Sequence, residues 1–325
     1  MIRKIGLGLL GLLAVAAIAF FAIAPGYVDR YMNRVDPTLA IAVSPEAQAL
    51  HDSLTIVDLH ADTLLWKRDM LSLADRGHVD VPRLAQGNVA LQIFSSVTKT
   101  PENQNYDSND ASTDRITLLA FGQLQPVRTW FSLTERTLYH GEKLERAIAG
   151  SNGQLVAIRG SSDLAHLATE RPDAVGAMLS VEGLHNLEGD IASLQRLYEG
   201  GVRMARLAHF FDNEVAGSMH GVNKGGLTTM GRQVVRQMED MGMVVDIAHC
   251  SHVCVAEVLR MARRPVISSH GGVQAICSVN RNLTDKEIKG IAATGGVIGL
   301  GYWDGAMCDT DPATVARAAK NCSAV

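Results

Sequence analysis

The 325-residue sequence has no run of basic residues and no interleaving of basic with aromatic ones, and its net charge is -4. That argues against nucleic acid as a partner. Cysteine is missing from the first three-quarters. The five present, Cys250, Cys254, Cys277, Cys308 and Cys322, are an odd number. An exported domain could pair some of them, but spacing alone does not give the connectivity. Charge is missing from Ile5 to Ala24, and no polar face interrupts that run. A core helix of a soluble domain is therefore a poor reading of it. A G-x-G-x-x-G pattern is also missing after the first predicted strand, which removes the usual mark of a dinucleotide-binding sheet.

The uncharged run, "IGLGLLGLLAVAAIAFFAIA", is 20 residues long. At 1.5 Å per residue that length spans a bilayer. Arg3 and Lys4 precede it and place the N-terminus inside, with the rest of the chain exported. A cleaved signal peptide has the same shape, with Ala22-Ile23-Ala24 as the cleavage candidate. Pro25 directly after that site disfavours processing, so an uncleaved transmembrane anchor over residues 1–26 is the expectation. A juxtamembrane linker, 27–48, and one catalytic-sized domain, 49–325, follow. A helix is expected from about Ser44 to Ser53.

Apolar residues make up 47% of the chain, enough for a substantial core. Seven short β-prone runs recur: "TIVDLHAD", "VALQIFSSV", "GAMLSVEG", "RMARLAHF", "MVVDIAHCS", "PVISSHGG" and "GGVIGLGYW". Amphipathic stretches separate them, including "TTMGRQVVRQMEDMG", which stops at Gly242. Another opens with the capping pattern Thr284-x-x-Glu287. The second gap holds a polar loop, "TKTPENQNYDSNDASTDR", and then long helical stretches from about Ile116 to Ala149. The loop reads equally as a lid or as plain surface. Strand and helix in alternation predict an α/β fold with a parallel sheet. Polar residues cluster at the ends of several strands, which favours a (β/α)8 TIM-type barrel over an open doubly wound sheet. An eighth strand and helix have no counterpart after Trp303, so the barrel is expected to lack its last unit.

His60 and Asp62 are two apart on the first strand and so face one side. Imidazole and carboxylate together suit zinc. Glu182 ends the third run, in "LSVEGLH". A lone carboxylate there must be solvated, paired or metal-bound, because burying it ionised is costly. His249 and His270 end two later runs. Any one of these residues could be structural; together, on successive strands, they describe a binuclear metal site. That set outweighs a zinc cluster of Cys250 and Cys254 with His249 and His252. His209, in "RLAHFFDN", could bind metal or support an oxyanion. His185 reads as an outer partner or surface residue. Arg281, in "NRNLTD", could clamp a substrate carboxylate. Two zinc ions sharing a water, its pKa lowered toward about 7, would deliver a hydroxide to a peptide or amide carbonyl.

These motifs, in this order from Thr55 to Trp303, resemble those of the membrane dipeptidases, peptidase family M19. "VDLHADT", "SVEGLH", "LAHFFDN", "PVISSHGG" and "NRNLTD" carry the resemblance. It implies a binuclear zinc barrel that cleaves dipeptides, often with a D-residue on the C-terminal side; some members open β-lactam rings. It implies that His60 and Asp62 hold one zinc, Glu182 bridges, and His249 and His270 hold the other. His209 and Arg281 contact the substrate. A homodimer is compatible with the sequence. Another barrel hydrolase, built on H-x-H and a carbamylated lysine, is disfavoured because no lysine lies near these strand ends.

The family's eighth strand carries an aspartate that approaches the metal-bound water, and no residue here matches it. No catalytic acid or base is therefore assigned. A truncated, inactive pseudoenzyme is the alternative expectation, and the chain as written is expected to be poorly active or inactive.

Overall fold

A computed structural model of the chain describes residues 2–36, 42–309 and 311–325. The strands are β1 Ile56–Ala61, β2 Val89–Val97, β3 Leu155–Ala157, β4 Val175–Glu182, β5 Val202–Arg206, β6 Val244–Asp246, β7 Val266–Ser268 and β8 Val297–Ile298. The helices of the first half are α1 Ile2–Met32, α2 Pro45–Asp52, α3 Val81–Gln86, α4 Arg115–Gly122, α5 Arg128–Phe131 and α6 Leu133–Gly150. Those of the second half are α7 Ser161–Glu170, α8 Ser193–Glu199, α9 Thr229–Asp240, α10 His252–Met261, α11 Asp285–Ala293, α12 Asp304–Met307 and α13 Pro312–Ala324.

The local signals account for these boundaries. Ser44 caps α2 by accepting from Ala47 N, with proline at the first helical position. Thr284 and Glu287 form a reciprocal capping box on α11. α9 ends just before Gly242, whose φ of 76° suits glycine. The stretch from Ile116 to Ala149 is helical but broken into α4, α5 and α6. Ser132 restarts it as the cap of α6, accepting from Glu135 N.

Every ladder is parallel, in the order β1-β2-β4-β5-β6-β7-β8, with β3 beside β4. The sheet curls into a half-barrel, as a TIM-type barrel requires. Among the described residues no ladder joins β1 to β8. Seven strands were expected; β3 is the addition. It has only three residues, two of them half-buried, so its apolar signal is short. The core lies between sheet and helices. Val181, Val202, Ala205 and Val245 pack with Val234 and Met238 of α9 and Val255 and Val258 of α10. Each such valine, leucine or methionine contributes about 1.5–3 kcal/mol on burial.

The apolar N-terminal run is helical, and Pro25 does not end it: α1 continues to Met32, into the expected linker. Residues 37–41 of that linker lie outside the described residues, as do the side chains of Arg3 and Lys4. By length and composition, Ile5–Met32 can cross a membrane, as an anchor or a signal sequence. Residues 5–19 are exposed throughout, whereas Asp29 is buried. Asp29 accepts from Arg76 at 2.7 Å and faces Arg68 at 3.4 Å, and Gly77 N donates to Asn33 O at 2.7 Å. The end of α1 is thereby tied to the loop after β1.

Candidate metal centre

The curl of the sheet gathers the predicted residues at one end. His60 lies within β1, and Glu182 is the last residue of β4. Asp62, His209, His249 and His270 stand just beyond their strands, in the following loops. The observed strands are shorter than the apolar runs suggest, because the backbone turns away once the side chains reach the mouth. Glu182 is at the centre. Its Oε1 is 3.3 Å from His249 Nε2, 3.5 Å from His209 Nε2 and 3.7 Å from His270 Nε2. Its Oε2 is 3.7 Å from His60 Nε2, which is 3.3 Å from Asp62 Oδ1.

Two three-residue groups have ligand atoms within 4.8 Å of one another: His60, Glu182 and His270, and Glu182, His209 and His249. Glu182 belongs to both. His209 Nε2 thus lies within reach of the same carboxylate, close enough to act as a donor or to face a substrate oxygen. Asp62 Oδ1 is a buried carboxylate oxygen without a hydrogen-bond partner, and His249 Nε2 faces His270 Nε2 at 3.1 Å. An orphaned carboxylate oxygen beside converging imidazole nitrogens is the donor set a divalent cation satisfies, so the residues fit a metal.

The electrostatics agree. Burial opposes ionisation of Glu182, yet His209, Arg206, His60 and His249 hold its carboxyl well below the ordinary range. Burial keeps the His249 and His270 imidazoles neutral far below their ordinary value, helped by nearby cations such as Arg281. A neutral imidazole is the ligand form.

The backbone is fitted to the site. His249 has φ of 64°, a left-handed conformation that a histidine adopts only when its surroundings impose it. Asp246 supplies part of that imposition. Its Oδ1 accepts from Ala248 N at 2.9 Å and from Ser269 N at 3.1 Å, the residues preceding His249 and His270. Gly183, after Glu182, has φ of 86°, and a Cβ there would meet the His185 ring at 2.6 Å. Only glycine lets the chain turn there beneath His209 and His185.

Beneath the donors lies a fully buried cation that sequence reasoning missed. Arg206 Nε donates to Asp246 Oδ2 at 2.7 Å, Nη1 to Glu182 Oε1, and Nη2 to Ser269 Oγ at 2.9 Å. Nη2 also faces His60 Nδ1 at 3.1 Å. The available signal was a charged residue alternating inward in "RMARLAH", with Asp246 at the matching place in "VVDIAH".

A cleft of about 470 Å³ opens over the donors. Arg281 lines it, buried, with its guanidinium lowered to about 10 mainly by desolvation. The polar loop after β2 covers one side: Tyr106 accepts from Trp303 Nε1 at 2.7 Å, and both line the cleft. Met32 and Asn33 of the α1 end line it too. His185 is buried and pairs with Thr98 Oγ1 at 2.9 Å, outside the donor groups. Cys250 and Cys254 are buried free thiols and His252 pairs with Glu287 at 2.7 Å, and among the described residues no converging donor group includes them. Cys277 and Cys308 form a disulfide that ties the loop after β7 to the segment after α12.

The sequence profile of the membrane dipeptidase family, peptidase family M19, matches residues 44–323. Among relatives, dipeptidase aclJ of Aspergillus oryzae is 28% identical over 94% of this chain and 70% of its own length. An uncharacterized dipeptidase of Schizosaccharomyces pombe is 27% identical over 76% of this chain and 59% of its own. The chain thus spans between about three-fifths and seven-tenths of these relatives. Among solved structures, a metallo peptidase of Rhodobacter sphaeroides, bound to a phosphinate mimic of the dipeptide L-Ala-D-Ala, superposes with a TM-score of 0.61. It is 20% identical, with 83% of this chain and 82% of that one covered. The probable dipeptidase PvdM of Pseudomonas aeruginosa gives 0.65 at 19% identity, covering 80% and 63%. At such identities the structural likeness supports the fold, while the profile, spanning most of the sequence, decides the relationship. The chain belongs to the membrane dipeptidase family, a family of metallopeptidases.

Proposed function

We propose that the chain carries a zinc-dependent dipeptidase site. His60, Asp62, Glu182, His249 and His270 would hold two ions, with Glu182 contributing to both. The observation that carries the reading is the pair of donor groups sharing one buried carboxylate. Zinc there supplies Lewis acidity and lowers the pKa of water. The protein's own groups do the rest. Arg281, a buried guanidinium on the cleft wall, takes the substrate's C-terminal carboxylate in a bidentate pair. His209 Nε2 donates to the oxygen that becomes negative as the amide carbonyl is attacked. Arg206 and Asp246 hold the donor-bearing loops in place and keep the site from collapsing on its own charge. Water is limited on one side by Tyr106 and Trp303.

In this reading α1 is an uncleaved membrane anchor and the catalytic domain is exported. The disulfide between Cys277 and Cys308 suits an oxidising compartment. The substrate is a dipeptide, with L-Ala-D-Ala the first to try because a relative binds its mimic. The assay loads the chain with zinc and follows dipeptide hydrolysis. Chelator-sensitive release of alanine supports the reading. Failure to bind metal or to cleave any dipeptide of a broad panel overturns it.

A further inference from the structure

We propose that the α4–α5 hairpin is a membrane-immersed foot, which seats the catalytic domain on the lipid surface beside the anchor. The inference rests on reading α1 as a membrane anchor. Residues 5–19 of α1 are exposed on every side, and the helix first meets the domain at Phe20 and Phe21. Those exposed residues rise only about 22 Å, while a bilayer core is about 30 Å thick. The missing length is supplied by the next turn and a half, Phe20 to Ala24. That stretch is already packed on α4: Phe21 and Phe121 have ring centroids 5.1 Å apart, and Pro25 lies against Gly122. Whatever lies at the level of Phe20 to Ala24 must therefore share the bilayer with it.

What lies there is apolar and uncovered. Phe121 stacks edge-on with Trp130 at 4.9 Å, and Trp130 neighbours Phe131 at 6.4 Å, so aromatic rings run unbroken from α1 outward. Phe131 is 82% exposed, Leu118 63%, Val127 60% and Leu124 58%. Monomeric soluble proteins rarely leave such a contiguous patch in water. Its aromatic content suits the interfacial zone of a membrane. Arg128, on α5, is paired with Glu135 and Glu142 at 3.1 and 2.6 Å, which lowers the cost of seating it at the interface. One consequence concerns the active site. Met32, on the cleft wall, is eight residues beyond Ala24, about 12 Å along the helix. The cleft is thereby held at a fixed, short height above the hydrocarbon, open to water at the membrane surface.

The test attaches an environment-sensitive fluorophore at single cysteines in the full chain, with Cys322→Ser removing the accessible native thiol. The sites are Leu12→Cys on the exposed part of α1, Phe131→Cys on the foot, and Val253→Cys on α10 as an aqueous control. The protein is reconstituted in vesicles of phosphatidylcholine and phosphatidylglycerol, with or without lipids carrying a quencher on the acyl chain. The expected result is several-fold quenching at positions 12 and 131 and none at 253. Quenching at 12 with none at 131 overturns the foot and leaves the anchor standing. No quenching at 12 overturns the anchor and the foot together. A blue shift at 131 that grows with protein concentration in detergent, without quenching in vesicles, assigns the patch to a second copy and also overturns the proposal.

Discussion

His60 and His270 stack face to face, with ring centroids 4.1 Å apart, although they come from β1 and the loop after β7. These elements stand at opposite ends of most of the sheet's path. Their contact measures the curl of the sheet, and it brings residues from distant parts of the chain into one donor group. Glu182 on β4, from the far wall, completes the same group.

His209 separates two roles, because it stands within the second donor group and also beside the expected carbonyl. As an oxyanion donor its replacement should spare the metal. His209→Phe is expected to retain the zinc content of the parent and to lose about 10²–10³ in kcat. Metal analysis alongside kinetics checks this. Loss of one ion would make His209 a ligand.

The cluster of acids and histidines at the mouth was legible in the sequence because each member interrupts an apolar run. His60, Asp62, Glu182, His249 and His270 stand where a purely packed strand would carry valine or alanine. The parallel α/β order was legible for the same reason, through alternating periods. Arg206 and Asp246 were not, because each looks like a lone charge until the curl brings their strands side by side. Tyr106 was hidden in a polar loop whose path no local pattern dictates. β3 was too short to leave a period, and the docking of Asp29 on Arg76 depends on α1 continuing past Pro25.

Arg206 is fully buried and is the counter-charge of both Glu182 and Asp246. Removing it leaves two buried carboxylates without their partner. Arg206→Met is expected to destabilise the metal-free chain by about 3–5 kcal/mol, the cost of breaking a buried pair from one side. Urea unfolding followed by circular dichroism measures it. A change within experimental error would mean that the carboxylates find other partners.

His140 gives a pH dependence away from the candidate metal centre. It is fully buried on α6, with Nδ1 at 2.8 Å from Ser96 Oγ. Burial first, and then Lys143 and Arg136, push it well below the ordinary value of 6.5. The unfolded chain takes up a proton near that value and the folded chain does not, so stability is complete above it and falls as pH falls. The contribution is about 1.4 kcal/mol per pH unit below the unfolded pKa. His140→Gln should therefore flatten the slope of unfolding free energy between about pH 6 and 5 by that amount. An unchanged slope would show that His140 is protonated in the fold.

The disulfide closes a loop across a sequence separation of 31 residues and fastens the segment that carries Trp303. Cys277→Ser with Cys308→Ser is expected to cost about 2–4 kcal/mol. Reductant should lower the melting temperature of the parent and leave the double variant unaffected. Equal sensitivity of both proteins would mean that the bond does not form in solution.

The central claim is that one buried carboxylate organises two metal ions. Its most direct test is zinc content per folded chain, measured by elemental analysis after dialysis, for the parent and for Glu182→Gln. The account predicts two ions per parent chain and at most one in the variant, with affinity for that one weakened by at least about 10-fold. A parent that retains no zinc, or a variant that retains as much as the parent, would contradict it.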